Sequence, residues 1–317
     1  MRFNRSIIFI LLLLLSSALN LFLDVGEIDF SNLIFKLRLF RVSTALIAGG
    51  GLAVCGLVLQ TWFRNSLADP FLLGVNSGAN LLIALGVFGV NLIGVNLGEF
   101  SLVFLGVLGA VLSLSFLLLI NRFFQNSIYL IIFGLLFSYL SSGLISFLMT
   151  FGSEQQLKSY LLFSFGSFEK VLGYNFLFYL VAVILPFLFI YKSSKNLNYL
   201  LLGENYAASL GLNLKKYQRF LILMVGIIAG VSGVYCGPVV FIGMMGPHLV
   251  RFIFNDSDHS KLVPLSFISG GLLAVFSDFM SSHILSSSLP LNTVIGLIGT
   301  PIVGYVLLRN SWRLNNA

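Results

Sequence analysis

Gly237-Pro238-Val239-Val240-Phe241-Ile242-Gly243-Met244-Met245-Gly246-Pro247-His248-Leu249-Val250-Arg251 carries a single charged side chain, at its last position. The stretch overlaps an apolar run over 239–254, with another run before it at 218–236 and another after it at 262–282. A membrane-spanning helix needs about 20 apolar residues, each rising about 1.5 Å. Outward from this stretch the chain offers about ten such runs: 6–23, 40–60, 71–91, 99–120, 128–149, 171–191, 218–236, 239–254, 262–282 and 291–309. They are long and continuous and lack a period-two alternation, which favours helices over barrel strands.

Composition agrees. Hydrophobic residues make up 58% of the 317, charged residues 9%, and the mean hydropathy is +1.00. A soluble domain carries charge on roughly a quarter of its residues. A chain with so little polar surface needs lipid as its main solvent. The expectation is an all-α polytopic membrane protein, one domain over 1–317, with about ten transmembrane helices.

Lysine and arginine set its orientation. With the N-terminus inside and ten spans alternating, Arg2, Arg5, Arg64, Arg122, Lys192, Lys195, Lys215, Lys216, Arg219, Arg251, Lys261, Arg309 and Arg313 fall inside. Lys36, Arg38, Arg41, Lys158 and Lys170 fall outside. That is 13 against 5, so both termini are expected in the cytoplasm. The net charge of +7 follows from this bias and needs no nucleic-acid partner. Arg2 and Arg5, the run Ile7 to Leu15 and then Ser16-Ser17-Ala18 resemble a signal peptide. The apolar stretch continues to Leu23 without a clean small-x-small site, so an uncleaved first helix is expected. Cys55 and Cys236 lie in apolar runs and read as small buried hydrophobes.

Two connections are longer than the others: 151–170, placed outside, and 192–217, placed inside and the most polar stretch of the chain. Gly49-Gly50-Gly51 with Gly56, and Gly226, Gly230 and Gly233, fall within single runs, where small residues let helix backbones approach closely. Catalytic signatures are missing. No G-x-x-x-x-G-K-[ST] occurs, so the chain has no P-loop for ATP. His248, His259 and His283 lack metal-ligand spacing, and there is no G-x-S-x-G. Neither a catalytic residue, a metal site nor a cofactor is expected. Asp278 is the one acid inside a span, near its outer end. An acid in lipid points to function by default, with helix capping or contact with water as the structural alternative. A single such acid is thin support for an ion-gradient-driven secondary transporter, the alternative function class.

Three segments stand above hydropathy. The first runs from Arg38-Leu39-Phe40-Arg41 through a Gly-rich span to Phe63-Arg64-Asn65-Ser66-Leu67-Ala68-Asp69-Pro70 and Leu72-Leu73-Gly74-Val75-Asn76-Ser77-Gly78-Ala79. The second is Leu202-Gly203-Glu204-Asn205-Tyr206-Ala207-Ala208-Ser209-Leu210-Gly211, and the third is the stretch quoted first, with Leu289-Pro290 and Gly299-Thr300-Pro301 downstream. In that order they resemble the FecCD-type permeases, the iron-siderophore, haem and cobalamin branch of ABC importers. The resemblance covers about residues 36 to 309.

The resemblance implies a type II ABC importer permease fold, with ten helices per subunit paired into a dimer. It implies two copies of a cytoplasmic ATP-binding subunit and a periplasmic or lipid-anchored substrate-binding protein, in the cytoplasmic (inner) membrane of a bacterium. It implies that Arg38 and Arg41, which share one face of a helix, dock the binding protein. A further docking arginine common in the family is replaced here by Ser281-Ser282-His283. Glu204, Ala207, Ala208 and Gly211 match the coupling helix that meets the ATPase, with Gly211 as its C-cap. Asn65 and Leu67, with Asn126 and Ser127, match the cytoplasmic gate; Ser66 stands where the family usually has proline. His248 is expected to be a hydrogen-bonded packing residue rather than an iron ligand. The expected function is ATP-driven import of a metal chelate by alternating access in a homodimer. Ferric siderophore ranks first by family frequency, and haem and cobalamin stay open.

Overall fold

The structure is a computed structural model that describes residues 33–89, 98–123, 127–284, 289–301 and 304. The first apolar run, with its signal-peptide or first-helix reading, lies outside these residues, as does Asn126.

Between Leu33 and Trp62 the sequence holds no proline, and a single helix, α1, runs the whole distance. At 30 residues it is about 45 Å long, more than the roughly 30 Å hydrocarbon core. From Val42 to Trp62 nearly every side chain is buried. A helix apolar all round belongs at the centre of its protein, and α1 packs against five later helices.

The chain continues through α2 (Val75–Ala84), closed by a π-helical turn at Leu85–Gly89, then α3 (Glu99–Phe123) and α4 (Ser127–Met149). Next come α5 (Glu154–Ser164), α6 (Tyr174–Lys192), α7 (Ser194–Leu201), α8 (Glu204–Ser209) and α9 (Leu214–Cys236). The last are α10 (Ile242–Phe254), α11 (His259–Phe279) with a π-helical turn at Met280–Ile284, and α12 (Leu291–Pro301). Among the described residues there is no strand. Nine helices, α1 to α4, α6 and α9 to α12, coincide with the second to tenth apolar runs, and six of them are long and apolar enough to cross a membrane.

Two details differ from the sequence expectation. The connection at 151–170 contains a helix, α5, opened by a capping box: Ser153 Oγ accepts from Gln156 N–H, and Gln156 Oε1 accepts from Ser153 N–H at 2.8 Å. The run over 239–254 is not one helix. The chain is irregular after Cys236, with Gly237 at φ +76° and Phe241 at φ +60°, and α10 starts only at Ile242. Thirteen residues of helix cover about 20 Å, too short to cross the core alone. Non-helical backbone at this depth survives where protein satisfies it. Here the Cys236 carbonyl accepts from Ser167 N–H at 3.0 Å.

Candidate functional site

The chemistry-bearing side chains gather at the two ends of the bundle. At one end Arg41, early in α1, faces Asp278, the second-last residue of α11. Arg41 Nε donates to Asp278 Oδ2 at 2.8 Å and Nη2 to Oδ1 at 2.9 Å, a two-pronged guanidinium–carboxylate pair. Arg41 Nη1 also donates to Glu169, in the connection before α6. The Asp278 side chain is 3% exposed and that of Arg41 24%, so the acid has left both water and lipid for its partner. The structural alternatives read from the sequence, a cap or a contact with water, give way to an ion pair between helices. Arg38 lies one turn earlier and is half-buried. The two arginines expected to dock a partner therefore differ: Arg41 already holds two carboxylates of its own chain. The His283 side chain lies outside the described residues.

The opposite end is built on the chain leaving α1. Asn65 Oδ1 accepts from Leu67 N–H at 2.9 Å, folding 65–67 into an Asx turn. Asp69 is buried, and its Oδ1 accepts from Phe71 N–H at 2.7 Å. Burial pushes its carboxyl up to about 6, against the pull of the Phe71, Leu72 and Met244 amides. His248 Nε2 lies 2.8 Å from the Ser66 carbonyl oxygen, so the imidazole ties α10 to this turn, and Gly243 of α10 packs beside Asp69. Among the described residues no group of three His, Cys, Asp or Glu side chains could hold a metal. Asn65 and Leu67 are half-buried and Ser66 exposed. Ser127 opens α4, with its side chain outside the described residues.

Four residues join α1, α7 and α11 at the same end. His259 Nδ1 is 2.7 Å from Asn198 Oδ1, His259 Nε2 is 2.7 Å from Thr61 Oγ1, and Asn198 Nδ2 donates to Asp258 Oδ1 at 2.9 Å. The Asn198 carbonyl can only accept, which places the imidazole proton on Nδ1. Gln60, also at the end of α1, accepts from Arg251 Nη1 of α10 at 2.6 Å. Sequence reasoning gave no role to Gln60 or Thr61; Asp69 and Arg251 lay in recognised motifs without a role, and His259 was weighed only as a metal ligand.

α8 projects beside them. Glu204 Oε1 accepts from Gln218 Nε2 at 3.0 Å, anchoring α8 to α9. Gly211 sits at φ +87°, its N–H donates to the Ala208 carbonyl and the Leu212 N–H to the Ala207 carbonyl. These are the two bonds of a Schellman cap. Of the residues matched to the coupling helix, Ala207 is fully buried and Ala208 exposed. The exposed surface here mixes apolar side chains, Leu202 59%, Tyr206 50% and Leu210 49% exposed, with the polar Asn205 and Ser209.

A sequence profile of the FecCD transport family matches residues 6–309, nearly the whole chain. The chain belongs to the FecCD transport family. The vitamin B12 import system permease protein BtuC of Vibrio vulnificus is 30% identical, aligned over 96% of this chain and 95% of that protein. The molybdate import system permease protein MolB of Haemophilus influenzae is 30% identical over 88% of this chain and 81% of its own. Among solved structures, an ABC transporter assigned to the metal-chelate type, in an inward-facing conformation, superposes with a TM-score of 0.82 at 28% identity. The superposition covers 95% of this chain and 97% of that one. The FecCD family fold thus places the resembling segments in one helical bundle, and the chain is a membrane-spanning permease.

Proposed function

We propose that the chain is the permease subunit of an ABC importer that carries a metal chelate by alternating access between two copies of itself. Two ATP-binding subunits dock at the α8 end, in the cytoplasm, and a periplasmic or lipid-anchored binding protein delivers cargo at the Arg38–Arg41 end. The observation that carries this reading is α8. It is a short helix with both ends fixed, by Glu204 to Gln218 and by the Gly211 cap, and large apolar side chains, Leu202, Tyr206 and Leu210, stand exposed on it and at its two flanks. Such a surface fits a groove on a protein partner. Asn65 and Leu67, with Asn126 and Ser127, serve as the gate that α8 moves. Family frequency puts ferric siderophore first as cargo; the BtuC and MolB relatives keep cobalamin and molybdate in view. Binding protein co-purified with the subunit, and the solute it retains, decide among them.

Ala208→Cys tests the orientation. The residue is exposed on α8, and the engineered thiol is expected to react with a membrane-impermeant maleimide in inside-out vesicles only, and to crosslink to the ATPase subunit. Labelling confined to right-side-out cells would overturn the reading.

Gly211→Ala tests whether the shape of α8 matters. Among the described residues no atom lies within 4 Å of the added methyl, so its cost is conformational, about 1 kcal/mol for a non-glycine residue held at positive φ. Exchange of the Leu212 amide is expected to speed up about fivefold. ATP-driven uptake is expected to fall while the overall thermal midpoint of the subunit stays put.

A further inference from the structure

The ends of α1 and α10 and the start of α11 enclose a cavity of about 290 Å³ whose lining includes Gln60, Arg64, Ser66, Arg251, Ser257 and His259. Its charge is one-sided. Two arginines line it and no acid does. Among the described residues no carboxylate lies within ion-pair distance of either guanidinium. The partly buried Arg251 has one recorded hydrogen bond, from Nη1 to Gln60 Oε1. Gln60 is 4% exposed; its carbonyl is taken by Arg251, and its Nε2 amide, buried in the wall, has no acceptor among the described residues. A buried donor left unmatched costs about 1–3 kcal/mol, so such a group normally has a partner. His259 supplies no spare donor, since both its ring nitrogens are engaged by Asn198 and Thr61.

Arg64 stands at φ +48° as the left-handed residue that closes α1. Its N–H donates to the Thr61 carbonyl and Asn65 N–H to the Gln60 carbonyl, the same pair of bonds that caps α8 at Gly211. The turn sets the exposed Arg64 guanidinium over the cavity, with Nη1 close to Gly203, the residue before α8.

We propose that this cavity is an oxyanion site that takes a phosphate group, held by Arg251 and Arg64, with Gln60 positioning the Arg251 guanidinium. The donors come from two separate helix ends, and Ser257 adds a hydroxyl from a third direction. A tetrahedral anion with three or four oxygens answers all of them at once; a planar carboxylate answers two. Inorganic phosphate and the headgroup of an anionic phospholipid share this chemistry. A bound phosphate cross-links α1 to α10 beside the root of α8, where it stiffens the seat of that helix.

The test uses the full-length permease with its ATPase subunits, without nucleotide, in phosphatidylcholine nanodiscs. One arm measures equilibrium binding of radiolabelled inorganic phosphate. The other adds phosphatidylglycerol to the discs and identifies retained lipid by native mass spectrometry. Saturable binding in the first arm assigns free phosphate, and selective retention in the second assigns the headgroup. In whichever arm binds, Arg251→Gln and Arg64→Gln are each expected to weaken affinity about tenfold, the weight of one charge-assisted hydrogen bond. Arg64 is exposed, so its variant keeps the test meaningful should the Arg251 substitution fail to fold. Lys261→Gln, whose ammonium pairs with Asp256 outside the cavity, is expected to leave binding unchanged. Absence of binding in both arms overturns the proposal, as does equal binding in the Arg64 and Lys261 variants. Binding by the isolated permease that disappears when the ATPase subunits are present also overturns it, by assigning the arginines to a carboxylate of that partner. No cargo enters the measurement, so its outcome is independent of which solute the permease carries.

Discussion

Arg41→Met is expected to destabilise the permease by about 3 kcal/mol, the lower end for breaking a buried ion pair, because the substitution removes the guanidinium that holds both oxygens of the buried Asp278 carboxylate. The value sits low in the range because Arg41 keeps 24% of its side-chain surface exposed, whereas Asp278 keeps 3%. The measurement is the thermal or denaturant midpoint of the purified subunit in detergent. Asp278→Asn is expected to cost less, since Glu169 remains to neutralise part of the guanidinium charge. The double variant Arg41→Met with Asp278→Leu is expected to recover most of the loss, because two apolar side chains of similar bulk carry no desolvation penalty. That pattern separates two roles assigned to one arginine. If Arg41 acts through Asp278 alone, the double variant transports normally. If it also docks the binding protein, the double variant is stable but binds that protein weakly, and Arg38→Ala weakens the same affinity without lowering the midpoint.

The Arg41–Asp278 pair also marks where the sequence stopped being legible. Hydropathy located nine of the helices, because a chain in lipid must satisfy its backbone within each segment and long apolar runs have no other use. The match of ordered motifs followed from the order of short segments along the chain. Pairing between distant segments did not. Arg41 and Asp278 are 237 positions apart, and Gln60 and Arg251 are 191 apart. Nothing local in either member announces its partner. Arg38 and Arg41 looked equivalent because they share a helical face, yet one turn of α1 carries Arg41 against Asp278 of α11, and nothing local in the sequence singles Arg41 out. The break before α10 was hidden for another reason. Val239-Val240-Phe241 is as apolar as a span, so hydropathy joined it to the helix, and the positive φ of Phe241 separates them. The sequence is equally silent on which side of α8 faces out: Ala207 is fully buried, while Tyr206, Ala208 and Leu210 are exposed.

Gly56→Ala is expected to do as much damage as the charge substitution, because what it meets is backbone. A methyl group at Gly56 would lie 1.8 Å from the Gly243 carbonyl oxygen and 2.4 Å from its carbon. No rotamer relieves that contact, so α1 and α10 must separate. One heptad earlier, a methyl at Gly49 would lie 2.3 Å from the Gly270 carbonyl oxygen of α11. α1 therefore touches two helices backbone to backbone along one stripe. Between helices in lipid the apolar effect gives little net drive, and close packing supplies much of the cohesion. Forcing the helices apart loses contacts along the whole stripe. It also moves Gly243 away from Asp69, whose buried carboxyl draws on the neighbouring Met244 amide. The expected cost is about 3 kcal/mol, at the upper end for an overpacked core, read as loss of monodisperse protein on size exclusion and a lowered midpoint. Gly233→Ala is the matched control. It lies in α9, and the nearest atom to its added methyl is Ala79 Cβ at 3.9 Å, an ordinary contact. That variant is expected to be neutral, or more stable by up to about 1 kcal/mol from helix propensity. Equal damage from both substitutions would mean that glycine is required in these helices for flexibility rather than for the approach of one backbone to another.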